Sequence, residues 1–231
     1  MAHIEQLEFV ELVRARFPAA FVNRRVLEIG SLDINGSVRD LFARCEYVGI
    51  DVAAGPGVDV VCQGQEYDAP DGSFDTVICC EVMEHNPHWS KTFRNMLRLC
   101  RPGGLVLMTC ASTGRPEHGT TRTMPADSPL TIGIGWDYYR NLTAGDFRGT
   151  VDLRGALAAF GFFRNRGSFD LYFVGFRGGA DPPGNWQRKF VMLRWQCFWI
   201  NVRGLLACLK MRLLIAIVGE ERYLAGPVRF W

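Results

Sequence analysis

VLEIGSLDINGS, residues 26–37, followed by YVGID, residues 47–51, is the stretch on which the fold turns. Val26, Leu27 and Ile29 are apolar and branched, and residues 25–30 read as a strand. Gly30 lets the backbone turn beside a ligand, and Gly36-Ser37 opens a helix over 36–43. A second strand over 46–51 ends on Asp51, about 20 residues downstream, where a carboxylate can accept both hydroxyls of a ribose. This order of strand, tight loop, helix, strand and acid is that of a Rossmann-like sheet holding a nucleoside.

The glycine pattern narrows the nucleoside. A dinucleotide site needs G-x-G-x-x-G, because a pyrophosphate approaches bare backbone at a helix N-terminus. Leu32 stands at the second glycine position and Ile34 follows, so side chains occupy the space of a diphosphate. The loop therefore disfavours NAD and FAD. A nucleoside without phosphates, such as S-adenosylmethionine, fits it, and Glu28 is placed to orient the ammonium of the methionine part.

Three further pieces follow in order: Gly72-Ser73-Phe74-Asp75 before a strand over 74–80, Glu81-Val82-Met83-Glu84-His85 after it, and Arg101-Pro102-Gly103-Gly104 before a strand over 104–110. With the opening motif and Asp51, residues 20–176 resemble the class I S-adenosylmethionine-dependent methyltransferases of the small-molecule type. The resemblance implies an α/β fold: a Rossmann-like, seven-stranded, mostly parallel sheet with helices on both faces and an antiparallel last strand. It also implies that Glu28, Gly30 and Ser31 line the methionine end of S-adenosylmethionine and that Asp51 and Val52 hold the ribose. Gln63, Gly64 and Gln65 would flank the adenine, and Glu81 would form the floor. Gln63 stands where such families usually place Asp, and its carbonyl can accept the same hydrogen bond.

Composition agrees with one compact catalytic unit. The chain has 231 residues, is 48% hydrophobic and carries a net charge of +2, too small to call for a nucleic-acid partner. Its eight cysteines include no C-x-x-C pair and read as small buried hydrophobes of a reducing, cytoplasmic compartment. The N-terminal stretch is patterned as a helix over 4–17, not as a signal peptide. Further helices are expected over 89–100 and 152–160, with strands over 58–61, 162–166 and 171–176.

Residues 111–149 contain no clear element. Structureless loops beyond about 15 residues are usually lids or binding loops. This one leaves the sheet at the carboxyl ends of the strands and carries Arg115, Arg122, Trp136, Tyr138 and Tyr139, which suit a polar acceptor. Methyl transfer from a sulfonium needs alignment of donor carbon and acceptor atom, and an alcohol also needs somewhere to send its proton. Of the four histidines, His3 lies far from the motifs, while His85 and His118 are the candidate bases, ahead of His88. Glu81, Glu84, His85 and His88 have ligand-like spacing. Pro87 interrupts the helix that would align them, and Glu81 belongs to the cofactor floor, so no metal site is assigned.

The chain thus divides into a methyltransferase domain, 1–180, with its lid at 111–149, and a basic, aromatic appendage, 181–231. From Pro182 to Gly219 there is no Asp or Glu, while Arg and Lys alternate with Trp and Phe. Two polar stripes separate two apolar faces, which suits a helix pair between the catalytic domain and either a lipid surface or a second copy. The expected activity is methylation of a polar small-molecule, sugar or lipid-linked acceptor, most readily at oxygen. The competing reading is a non-catalytic protein that holds the cofactor or a partner.

Overall fold

The computed structural model describes residues 4–218, so that His3 and residues 219–231 of the appendage lie outside the described residues. Seven strands make one sheet: β1 (Arg25–Ile29), β2 (Glu46–Asp51), β3 (Val60–Val61), β4 (Phe74–Cys80), β5 (Cys100–Ala111), β6 (Leu157–Asn165) and β7 (Asp170–Arg177). Their order is β3-β2-β1-β4-β5-β7-β6. Neighbours are parallel from β3 to β5, and β7 runs antiparallel to both β5 and β6. The sheet order reverses between β1 and β4, and ligands of open α/β sheets bind at the strand ends beside such a reversal.

Alternation along each strand divides the core into two layers. Val26, Ile78, Leu105, Leu107 and Val174 face α1 (Ile4–Arg16), which packs Phe9, Val10 and Val13 on them. Leu27, Ile29, Val77, Val106 and Met108 face α2 (Trp89–Leu99), which supplies Phe93 and Met96. Both faces are covered, so the central strands read as nearly continuous apolar runs.

Several elements differ from the sequence expectation. The helix expected over 36–43 is a single 3-10 turn, Val38–Leu41, capped where the Arg39 amide donates to Ser37 Oγ at 3.0 Å. Phe42 is already extended, and Ala43 bridges to Val22. The chain must return to β2 at once, and α1 takes over covering that face. The helix expected over 152–160 shrinks to α5 (Leu153–Ala156), because Leu157 onward pairs with β7 as β6. Within 111–149 lie α3 (Pro129–Gly133) and α4 (Ala144–Thr150), and Leu142 and Phe147 are fully buried, so the end of this segment belongs to the core. The expected helix pair is one helix, α6 (Trp186–Val218). Its first turns bury Phe190, Leu193 and Cys197 in the α1 layer, so its start is continuous with the domain core.

Candidate active site

The carboxyl ends of β1, β2 and β4 surround a narrow cleft. Gly30 enters it with φ 82°, and a Cβ there would stand 2.0 Å from Val82 Cγ2, so only glycine fits. Asp51 stands at the tip of β2, where Oδ2 accepts from the Leu32 amide at 3.1 Å and Oδ1 from the Val52 amide at 2.7 Å. Burial nevertheless raises the pKa of this carboxyl above the ordinary aspartate value. Glu81, the first residue after β4, is buried and held at φ 55°, a left-handed conformation that is costly for a residue with a side chain and recurs at functional sites. Gly30, Leu32, Asp51, Glu81, Val82 and His85 line one wall. Asp127, Ser128, Pro129, Leu130 and Thr131 of the lid line the other, leaving about 50 Å³ between them. These lid residues carry no motif and were not expected from sequence.

Glu28 and Ser31 open into an adjoining polar cavity of about 20 Å³, which shares Gly30 and Leu32 with the cleft. Tyr47 Oη donates to Glu28 Oε2 at 2.9 Å. Burial pushes the Glu28 pKa up to about 7 against the Tyr47 bond and Arg39, which lower it. Ser31 Oγ is buried with no hydrogen-bond partner. Gln6 closes this cavity from α1, a residue that the motifs do not reveal. Its signal was a polar side chain in the apolar stripe Gln6, Phe9, Val10 and Val13.

Gln63, Gly64 and Gln65, expected beside the adenine, do not line the cleft. Gln65 Nε2 donates to Gln63 Oε1 at 2.5 Å and Thr92 Oγ1 to Gln65 Oε1 at 3.2 Å, while Asn95 Nδ2 donates to the Gly64 carbonyl at 2.8 Å. The segment is bound to α2, next to the cleft but turned toward the helix.

Both candidate bases meet. The rings of His85 and His118 stand 4.9 Å apart, and the Tyr139 ring lies 5.6 Å from the first and 5.0 Å from the second. Burial, then the neighbouring His118, lowers the His85 pKa to about 3, and burial lowers that of His118. Both imidazoles are therefore neutral near pH 7, each with one lone pair to use. His118 Nδ1 lies 3.1 Å from the Pro116 carbonyl, which places the proton there and the lone pair on Nε2. Burial, then the charge of Glu81, raises the pKa of the fully buried Glu84, whose Oε1 accepts from the Ala111 amide at 2.9 Å.

The other lid candidates are mostly engaged elsewhere. Arg115 donates to the Ser168 carbonyl at 2.7 Å and lies 3.6 Å from buried Asp170. Arg122 pairs with Glu117 at 2.9 Å and Asp137 at 3.3 Å on the surface. Neither arginine lines the cleft, because the lid uses each to fasten itself. Trp136 stacks edge-on with His88 at 5.6 Å, and the Tyr138 backbone lies beside the His85 ring.

A family described as "Methyltransferase domain" matches residues 1–163. Among solved structures, Haemonchus contortus phosphoethanolamine N-methyltransferase 2 in complex with S-adenosyl-L-methionine is similar in fold, with TM-score 0.52 and 14% identity over 74% of this chain and 52% of that one. This chain thus spans about half of that enzyme. The YcgJ protein from Bacillus subtilis is similar with TM-score 0.50 and 13% identity over 77% of this chain and 100% of that one. No curated protein matches.

Proposed function

This chain belongs to the methyltransferase domain family, and on that footing we propose that it transfers a methyl group from S-adenosylmethionine to an oxygen of a polar small-molecule, sugar or lipid-linked acceptor. The observation that carries the reading is the cleft itself. Gly30, Asp51 and Glu81 come from three strands to one site at the sheet's reversal, and His85 joins them from the next turn. The residues suit the donor: a glycine that brings backbone close, a carboxylate for the ribose at Asp51, and a carboxyl and a hydroxyl, Glu28 and Ser31, for the methionine end.

S-adenosylmethionine supplies an activated methyl on a sulfonium, and the chain's own residues supply position and polarity. Glu81, in its constrained conformation, aims a carboxylate at the floor. The lid residues 127–131 exclude water from the donor. Of the two histidines His118 is the less buried and is fixed in one tautomer by Pro116, so its Nε2 lone pair is the one open to an incoming acceptor. The Haemonchus contortus relative is an N-methyltransferase of 14% identity, and a reaction at nitrogen is the competing outcome.

Calorimetry with S-adenosylhomocysteine, followed by mass spectrometry of a panel of hydroxylated and amino acceptors, tests this. Binding with a gain of one methyl on a hydroxyl is the expected result. Binding without turnover on any acceptor would favour the non-catalytic reading, and no binding by folded protein would sink both.

A further inference from the structure

Glu84, His85 and His118 each offer a ligand atom, and the three atoms lie within 4.8 Å of one another. Two ligands at about 2.1 Å from a single ion stand at most about 4.2 Å apart. In a tetrahedral site they stand about 3.4 Å apart, so a closure of up to about 1.4 Å, by side-chain rotation and lid movement, would bring all three onto one centre. Every member is buried, with Glu84 0%, His85 3% and His118 8% exposed. Buried polar atoms are ordinarily paired, yet Glu84 Oε2 and His85 Nδ1 have no hydrogen-bond partner.

A carbonyl fixes one of the lone pairs. His118 Nδ1 faces the Pro116 carbonyl, leaving Nε2 unprotonated. His85 Nδ1 is buried with no hydrogen-bond partner, so no protein group competes with an ion for it. A carbonyl behind the imidazole, as at His118, is the usual outer shell of a metal-binding histidine. The Ala111 amide, 2.9 Å from Glu84 Oε1, orients the carboxylate in the same way. Glu81 and Glu84 bring two carboxyl groups to this point inside the protein. The ligand set joins the Glu-His turn after β4 to the lid, a pairing invisible in the spacing of Glu81, Glu84, His85 and His88.

We propose that Glu84, His85 and His118 bind a divalent transition-metal ion, and that this ion takes the acceptor oxygen as a further ligand beside the cofactor cleft. Two imidazole nitrogens and one carboxylate oxygen suit zinc, cobalt, iron or manganese with open positions. His85 lines the cofactor cleft and is also a ligand, which puts an oxygen held by the ion next to the donor methyl. The second half of the proposal rests on transfer to oxygen. In that case the acceptor hydroxyl loses its proton to solvent on binding the ion. The oxygen electron pair then forms the new O–CH3 bond as the S–CH3 bond breaks, and the sulfonium leaves as a neutral thioether. His118 then serves as a ligand and not as the base.

The test uses the full chain, stripped with a chelator and titrated with Co2+ and with Zn2+ by calorimetry, with visible absorption for Co2+. One equivalent should bind, with ligand-field bands of a nitrogen and oxygen environment. His118→Ala and Glu84→Gln should each weaken binding by about 100-fold or more, since even outer-shell losses cost about 10–100-fold. S-adenosylhomocysteine calorimetry on both variants confirms that the fold persists, and His118→Ala, in the lid, carries the test if Glu84→Gln does not fold. No stoichiometric binding, or unchanged affinity in the folded variants, would overturn the site. Turnover on a hydroxyl that chelation leaves unchanged would overturn the ion's role at the acceptor. Methylation of amines alone, with the ion still bound through these residues, would overturn transfer to oxygen and leave the cation site standing.

Discussion

At the residue scale the two acids of the opening motif have different electrostatic tasks. Asp51 accepts two backbone amides, which fix its carboxylate at the strand tip ready for ribose hydroxyls. Asp51→Ala should raise the S-adenosylhomocysteine Kd by about 100-fold, since hydrogen bonds to a charged acceptor are worth about 1.5–3 kcal/mol each. Calorimetry showing an unchanged Kd would mean that the ribose lies elsewhere. Glu28 is buried, and its pKa is raised from 4.5 to about 7. The folded chain therefore holds a proton that the unfolded chain has lost between these values. This contribution to stability is complete below pH 4.5, declines through the window and is gone above pH 7. The swing is about 3 kcal/mol, and Glu28→Gln should flatten urea midpoints measured across it. These acids were legible because each sits at a strand end with a glycine loop between them. Gln6 was not, since only packing of α1 on the sheet brings it to Glu28.

At the element scale, part of what looked like site sequence is scaffold. Asp75 Oδ2 accepts from the Arg25 amide at 2.9 Å and Oδ1 from Arg101 Nε at 2.6 Å, tying the starts of β1, β4 and β5. The Arg101 to Gly104 turn is equally constrained, since a Cβ on Gly104 would meet the Asp75 carbonyl at 2.7 Å. Both motifs lie at the end of the sheet away from the cleft. Asp75→Ala should cost about 1–3 kcal/mol in chemical unfolding and leave cofactor affinity unchanged; a loss of affinity in folded protein would contradict this scaffold role. The lid behaves differently. Sites that enclose drug-sized ligands hold about 300 Å³ or more, whereas the cleft under residues 127–131 holds about 50 Å³. On the proposed reading the lid arch lifts to admit the cofactor, and Gly133 and Gly135, with no atom near their missing Cβ positions, can absorb the movement. Hydrogen exchange over 127–134 should change when S-adenosylhomocysteine binds, and identical exchange would place cofactor entry elsewhere. The helices misjudged over 36–43 and 152–160 share one cause: strand pairing and return to the sheet overrode local helical preference.

At the scale of the whole molecule, α6 is anchored by its first turns and again at Asn201, which bonds to the Arg164 carbonyl and the Arg166 amide, and it keeps an exposed face between them. Phe190, Leu193 and Cys197 are buried, whereas Val191, Trp195, Phe198, Trp199 and Leu205 are each more than half exposed. Arg164, Arg166 and Arg194 line the groove between α6 and the β6–β7 hairpin together with Phe162, Phe163 and Val202. Among the described residues no helix is long and apolar enough to cross a membrane. A basic, aromatic face of this kind suits the surface of an anionic bilayer. The full chain should float with anionic vesicles, lose that association in high salt, and lose it on Trp195→Glu with Phe198→Glu. A salt-resistant dimer by light scattering that does not float would assign the face to a second copy instead. Sequence alone determined the sheet and the family, because these depend on short-range order: apolar strands, a glycine turn and an acid at fixed spacing. Only tertiary structure decided that His118 joins Glu84 and His85, that Arg115 and Arg122 fasten the lid, and that Gln6 closes the cavity at Glu28 and Ser31. Each of those contacts joins residues distant along the chain, and burial sets which polar groups are left without partners.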